Sequence, residues 1–197
     1  MEIRYKLTNE HMQTHAGCQW TLNEWKETTG KGDLCSAGWL HVYSDPLVAA
    51  FMNPIHAMFT NPRLFKAEVD GKSKDDKGRK EGWTRVRLVK ELDMPKPTLE
   101  QWIRFGILYA MKVCEDKKWR QWAEDWLSGK DRSRESASDA ASSAASRVAS
   151  RTASRAASFA ASYATSRATS AASYAASYAA SASDIDLIAI AKEAMKG

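Results

Sequence analysis

The chain has 197 residues, with 29 Lys and Arg against 24 Asp and Glu, a formal charge of +5 and a pI near 9.1. That length suffices for one domain with an appendage. Such a mild basic excess permits contact with nucleic acid or acidic surfaces without requiring it. Three cysteines, Cys18, Cys35 and Cys114, form an odd set without framework spacing. They point to reduced thiols in a cytosol rather than a disulfide scaffold.

The opening MEIRYKLTNE lacks an apolar centre, so the expectation is no signal peptide. Ile3, Tyr5 and Leu7 alternate with charged residues and predict an edge-like first strand. Gln19 to Lys26, apolar at Trp20, Leu22 and Trp25, predicts a short strand and turn closed by the loop Gly30–Lys31–Gly32. Gly38 to Tyr43 (GWLHVY) has the strongest strand pattern in the chain. Ser44, Asp45 and Pro46 follow as a helix cap and first-turn proline, predicting a short helix over Leu47 to Met52 that stops before Pro54. Leu64 to Val69 predicts a strand ended by Asp70–Gly71. Lys72 to Glu81 predicts a charged, solvated loop, and Trp83 to Leu92 a clear strand. In that strand Thr84, Val86 and Leu88 share one face, Arg85, Arg87 and Val89 the other.

Pro95 and Pro97 end the sheet region. Thr98 and Gln101 form a capping-box pattern for a helix over Leu99 to Cys114, with Trp102, Phe105, Leu108, Tyr109 and Val113 toward a core. Asp116 can cap a second helix, on which Trp119, Trp122 and Trp126 recur at helical spacing before a stop at Gly129. All eight tryptophans lie at or before Trp126, which places the conventional core in the N-terminal part.

Beyond it runs a tetrapeptide repeat: SRVA, SRTA, SRAA, SFAA, SYAT, SRAT and two SYAA units. Residues four apart share a helix face, and alanine is the best helix former. The expectation is therefore one long Ala/Ser-rich helix in a region starting at Asp131 or Ser133; its part from Ala137 to Ala182 would span roughly 70 Å at about 1.5 Å per residue. Arg147, Arg151, Arg155, Phe159, Tyr163, Arg167, Tyr174 and Tyr178 form a spiral stripe on it. The arginines and serines argue against a bilayer span. Ser183 or Asp184 is expected to cap a last helix, IDLIAIAKEAM, docking on the Trp helices or the N-terminal domain.

The predicted class is α+β: a small, mostly antiparallel sheet domain over 1–95, a Trp-rich helix pair over 96–130, the repeat helix over 131–183 and a docking helix over 184–197. Candidate chemistry is sparse. His15, Cys18, Cys35 and His41 are ligand types that zinc accepts, but their spacing fits no strong zinc pattern. The block GWLHVYSDP, a strand bearing His41 and Tyr43 that runs into a capped helix, looks like parts of folds related to ADP-ribosyltransferases. That resemblance implies a histidine or tyrosine holding NAD, with Glu91 or Glu68 orienting the ribose; the alternative reading is an enzyme or nucleotide binder with its pocket around His41, Tyr43 and Arg87, and no cofactor is assigned. The Arg/Tyr stripe could track phosphates and stack bases, a reading ranked below helix packing because the stripe lacks lysines.

The segments CQW (Cys18 to Trp20), GDLCSAGWLHVYSDPL (Gly32 to Leu47), NPIHA (Asn53 to Ala57), NPRLFKAEVDG (Asn61 to Gly71) and TRVRLVKEL (Thr84 to Leu92) recur together, as do RFGILYAMKV and WAEDWLSGKDRS. On these the chain resembles a family of uncharacterised phage and prophage proteins, in which a variable alanine-rich repeat ends in an IDLIAIA-like helix. The resemblance implies a protein acting in the cytoplasm of an infected bacterium or carried in a virion, and it transfers no functional residue. The leading expectation is a non-enzymatic interaction protein, a homo-oligomer or the partner of a host or phage protein.

Overall fold

The structure, a computed structural model, describes residues 1–147, 160–161 and 185–196, with 144–147 as backbone alone. The chain is α+β and divides into two compact units, Met1–Lys96 and Pro97–Gly197.

The first unit holds β1 (Glu2–Thr8), β2 (Gln13–Thr14), β3 (Cys18–Gln19), β4 (Trp25–Glu27), β5 (Leu40–Val42), α1 (Pro46–His56), β6 (Arg63–Asp75) and β7 (Glu81–Leu92). β1, β6 and β7 are consecutive antiparallel neighbours, while β4 and β5 share the other edge of β7. β5 then runs into Tyr43, whose backbone exchanges hydrogen bonds with Tyr5 of β1 at 2.9 and 2.8 Å. The ladder β1–β6–β7–β5 therefore returns to its start and closes as a small barrel. Register shifts at Lys66/Ala67 and between Asp70 and Ser73 supply the extra coiling that closure needs.

Alternation sorts the walls. Phe65, Ala67, Val69, Val86 and Leu88 form the core with Trp20, Val42 and Trp83. Arg85, Arg87, Glu68, Asp70 and Trp25 take the opposite face. There Arg85 reaches Asp70 at 2.7 Å and Glu27 at 2.9 Å, Arg87 pairs with Glu68, and both guanidiniums lie over the Trp25 ring, at 4.6 and 4.9 Å.

Several expectations change in this unit. The GWLHVY strand shrinks to Leu40–Val42, because β4 takes the edge of β7 from Arg85 onward and Gly38 and Trp39 are spent in turns. The predicted Gln19–Lys26 strand splits into β3 and β4. α1 runs past Pro54 to His56; its last turn is held by Ala57 N–H donating to Asn53 O at 3.1 Å and by the Asn53 side chain bonded to both backbone groups of Phe59. β6 does not stop at Asp70–Gly71. It bulges there, with Gly71 at φ +86° and Lys72 N–H donating to Thr84 Oγ1 at 2.9 Å. The charged loop is thereby narrowed to residues 76–80.

The second unit holds α2 (Leu99–Ala110), α3 (Lys117–Ser128), α4 (Arg134–Arg147) and α5 (Leu187–Ala194). Thr98 and Gln101 make the full capping box, Asp116 caps α3 through Trp119 N–H, and Gly129 ends α3 at φ +80°. α2 stops at Ala110, short of Cys114, in a set of tighter turns. Its buried face includes Ile103 and Ile107, while Trp102, Leu108 and Val113 are half-buried. α5 is capped by Asp186, whose carboxylate accepts from Ala189 N–H at 2.9 Å, rather than by Ser183 or Asp184. It docks on α2, burying Leu187, Ile190, Ala191 and Ala194, and its Met195 carbonyl accepts from Gln101 at 3.0 Å. α4 packs on α3 with Ala137 and Ala140 buried, and Ala160 and Ala161 are helical and buried as well. The span from 148 to 159 and from 162 to 184, which carries most of the predicted long helix, lies outside the described residues.

Candidate functional site

Alternation in MEIRYKLT sends Lys6 to the same side as the barrel core, where it is 5% exposed. Its ammonium donates to His41 O at 2.6 Å and lies 4.7 Å from the Trp20 ring centroid. Burial lowers its pKa from the ordinary lysine value to about 8. Sequence reading missed this residue, because the strand's alternation groups Lys6 with Glu2 and Arg4, opposite the apolar Ile3, Tyr5 and Leu7.

His41 sits on β5 opposite Gly82. Its Nε2–H donates to Leu34 O at 2.5 Å, and burial holds its pKa below the usual imidazole value. Tyr43 is buried, its phenol pushed up by desolvation, and its ring stacks on His56 at 6.1 Å and 16°. His56, unmarked in the sequence reading, projects from the end of α1. Its Nδ1 is buried with no hydrogen-bond partner among the described residues. Desolvation, reinforced by the Lys80 charge, lowers its pKa to about 3. Asp76 and Lys80 of the hairpin tip act on both histidines; Arg79 acts on His56 and Lys6 on His41.

The other candidates are elsewhere. Arg87 pairs with Glu68 five residues along β7 from the partner of His41, about 17 Å at roughly 3.3 Å per residue. Glu91 lies farther still and forms a two-pronged pair with Arg63, at 2.8 and 2.6 Å, which holds its carboxyl below the usual range. His41 and Tyr43 thus share a neighbourhood with His56, whereas Arg87 and Glu68 lie on the outer face of the sheet and Glu91 at the far end of β7. No polar cleft gathers them.

The metal-ligand candidates do not converge either. Cys35 is exposed and receives Lys80 Nζ at 3.2 Å, a cation where a metal would have to sit. Among the described residues no group of three or more His, Cys, Asp and Glu could hold a metal ion. Arg147 ends α4 as backbone alone. Arg151, Arg155, Phe159, Tyr163, Arg167, Tyr174 and Tyr178 lie outside the described residues.

In the second unit an open groove of about 560 Å³ runs between α3 and α4, lined by Trp122, Asp125, Asp139 and Ser143 among others. Among the described residues no helix is long and apolar enough to cross a membrane.

Residues 3–100 match the model of a domain of unknown function, DUF7666. No curated protein and no solved structure matches the chain.

Proposed function

We propose that this is a phage-encoded, non-enzymatic interaction or assembly protein, in which the Ala/Ser repeat associates with a second copy or with a host or phage partner. The observation that carries the reading is how the start of the Ala/Ser region is used. Ala137 and Ala140 of α4 are buried against the Trp-bearing α3, so this composition already serves as a close-packing face. Small side chains let helices approach, and many small dispersion contacts then add up. Phe159, Tyr163, Tyr174 and Tyr178 would supply most of the area buried with a partner. A two-fold dimer with antiparallel repeat helices is the simplest assembly. The site of action is the bacterial host cytoplasm or the virion.

Light scattering behind size exclusion tests this. The full chain elutes as a dimer at micromolar concentration, and replacing those four aromatics by Ala returns it to a monomer. A monomeric wild type overturns the self-association reading. The competing reading, an NAD or nucleotide site at His41, has less support: its ring is bonded to Leu34 O and Arg87 is remote. Heat on titrating the wild type with NAD or ATP, lost in His41→Ala, would revive it.

A further inference from the structure

The hairpin joining β6 to β7 carries an uneven charge. From Lys72 to Lys80 there are five cations and two carboxylates, so this one segment holds +3 of the net +5 of the whole chain. Both carboxylates are occupied locally. Asp75 accepts from Gly78 N–H at 3.1 Å through both oxygens, shaping the turn, and Asp76 pairs with Arg79 at 2.5 Å. Among the described residues Lys72, Lys74 and Lys80 form no ion pair.

These lysines are also held in place. Lys74 Nζ donates to Gly32 O at 2.9 Å and lies 5.1 Å from the Trp39 ring centroid. The stem of Lys72 passes beside Gly30, where an added Cβ would sit 3.7 Å from both Lys72 Cδ and the Trp39 ring. Lys80 is tethered to Cys35. The loop from Gly30 to Cys35 is therefore laid along the hairpin, and it presents the exposed Lys31 between the two glycines that contact Lys72 and Lys74. Two segments far apart in sequence build one basic surface. Its cations have already lost part of the side-chain entropy that an ordinary surface lysine would lose on binding.

We propose that this end of the barrel is an interaction surface for the phosphate backbone of a nucleic acid, bound without base readout. Phosphate neutralisation needs fixed ammoniums in excess of competing carboxylates; outside the hairpin the surface adds one cation, Lys31, and one exposed carboxylate, Asp33, so the hairpin's excess of +3 remains. Trp39 is 6% exposed and serves as a floor for Lys74, so no aromatic ring is offered to stack bases. The surface is separate from the Arg/Tyr stripe of the repeat and independent of self-association.

The test uses fluorescence anisotropy on the full chain with a labelled single strand and with its duplex, from about 50 to about 200 mM salt. The wild type binds at the low end, and log K falls steeply with log salt. Lys72→Gln with Lys74→Gln weakens binding about tenfold at low salt and reduces the slope by about 1 per lysine removed. A control pair of exposed lysines elsewhere in this unit, Lys90→Gln with Lys96→Gln, leaves both quantities within about twofold. Circular dichroism verifies that both variants keep the wild-type fold; if the first does not, Lys31→Gln with Lys80→Gln replaces it. No binding at low salt, an equal loss in the control pair, or an unchanged slope overturns the proposal. Binding to phosphatidylserine vesicles with none to either nucleic acid also overturns it, in favour of a membrane surface.

Discussion

Trp20 and Trp119 are both essentially inaccessible, and they reach that state by different routes. Trp20 lies in a core with Val42 of β5 and residues of β6 and β7, all more than twenty residues away in sequence, and the cations over its ring, Lys6 and Lys26, come from β1 and β4. Trp119 is buried on one helix face with Trp122, Ala123 and Trp126, in a pattern written within eight consecutive residues. The barrel unit is held by long-range pairing and polar ladders across strands. The helical unit is held by faces of local period and, in α4, by residues as small as alanine. A close contact in the first is specific to a partner strand; in the second it is set by spacing along one helix.

The largest effect expected is a core truncation in either unit. Trp119→Ala and Phe65→Ala should each cost about 3–5 kcal/mol, since both side chains are fully buried. Urea unfolding measures it. A loss under about 1 kcal/mol at Trp119 would mean that α3 does not depend on its tryptophan face.

The same contrast decides what could be read beforehand. Helix caps and faces were legible because capping is local chemistry: Thr98 with Gln101, Asp116 and Gly129 all act where the sequence places them. The class of the sheet was legible from alternation in EIRYKLT and TRVRLVKEL. Closure was not, because it rests on the single Tyr5–Tyr43 exchange and on two register shifts, none of which has a periodic signature. The GWLHVY strand had the strongest pattern by composition yet is limited by how much of the β7 edge it can occupy. Of the candidate site, the proximity of His41 and Tyr43 followed from one strand. His56, the stacking partner of Tyr43, and the buried Lys6 depend on tertiary contacts, and Arg87 and Glu91 were grouped with them only by analogy.

Acid should expose the barrel's own weakness. His56 has a folded pKa of about 3, below its ordinary value, so the unfolded chain takes up the proton first. Its contribution is intact above about pH 6.5 and is lost as pH falls toward 3. The loss amounts to about 3 kcal/mol by about pH 4. His56→Gln should flatten that limb of the stability curve. Wild type and variant falling in parallel would remove His56 as the cause.

Base should act through Lys6. Its folded pKa of about 8 lies below the unfolded value, so the cost of burying the ammonium is fully present below about pH 8. Between there and about 10.5 the native state releases its proton while the unfolded state keeps it, and stability rises. Relative to Lys6→Met, the wild type should gain about 2 kcal/mol between about pH 7.5 and 10. The comparison cancels the constant penalty that Met brings by leaving His41 O unpaired. A constant difference across that range would show the amine neutral, or well hydrated, throughout.

The smallest effect sets two glycines of like conformation against each other. Gly71 in the barrel and Gly129 in the helical unit have φ of +86° and +80°, a region costing a non-glycine residue about 1–2 kcal/mol. At Gly129 the nearest atom to an added Cβ is the end of the Arg132 side chain at 4.0 Å, so Gly129→Ala should cost only that conformational term, about 1 kcal/mol. At Gly71 the added Cβ would collide with Thr84 Oγ1. That hydroxyl cannot swing clear without losing the hydrogen bond it accepts from Lys72 N–H, and Thr84 is itself buried. Gly71→Ala therefore adds a steric term and a lost hydrogen bond to the same backbone penalty, and should cost at least about 1 kcal/mol more than Gly129→Ala. Adding Thr84→Ser does not relieve the clash, because the oxygen remains; Thr84→Ala removes it. In a double-mutant cycle Gly71→Ala should thus cost less in the Thr84→Ala background than in the wild type, by about 1 kcal/mol. Equal costs at the two glycines, or strict additivity in the cycle, would mean that the bulge at Gly71 is a conformational device alone and not a packing contact between β6 and β7.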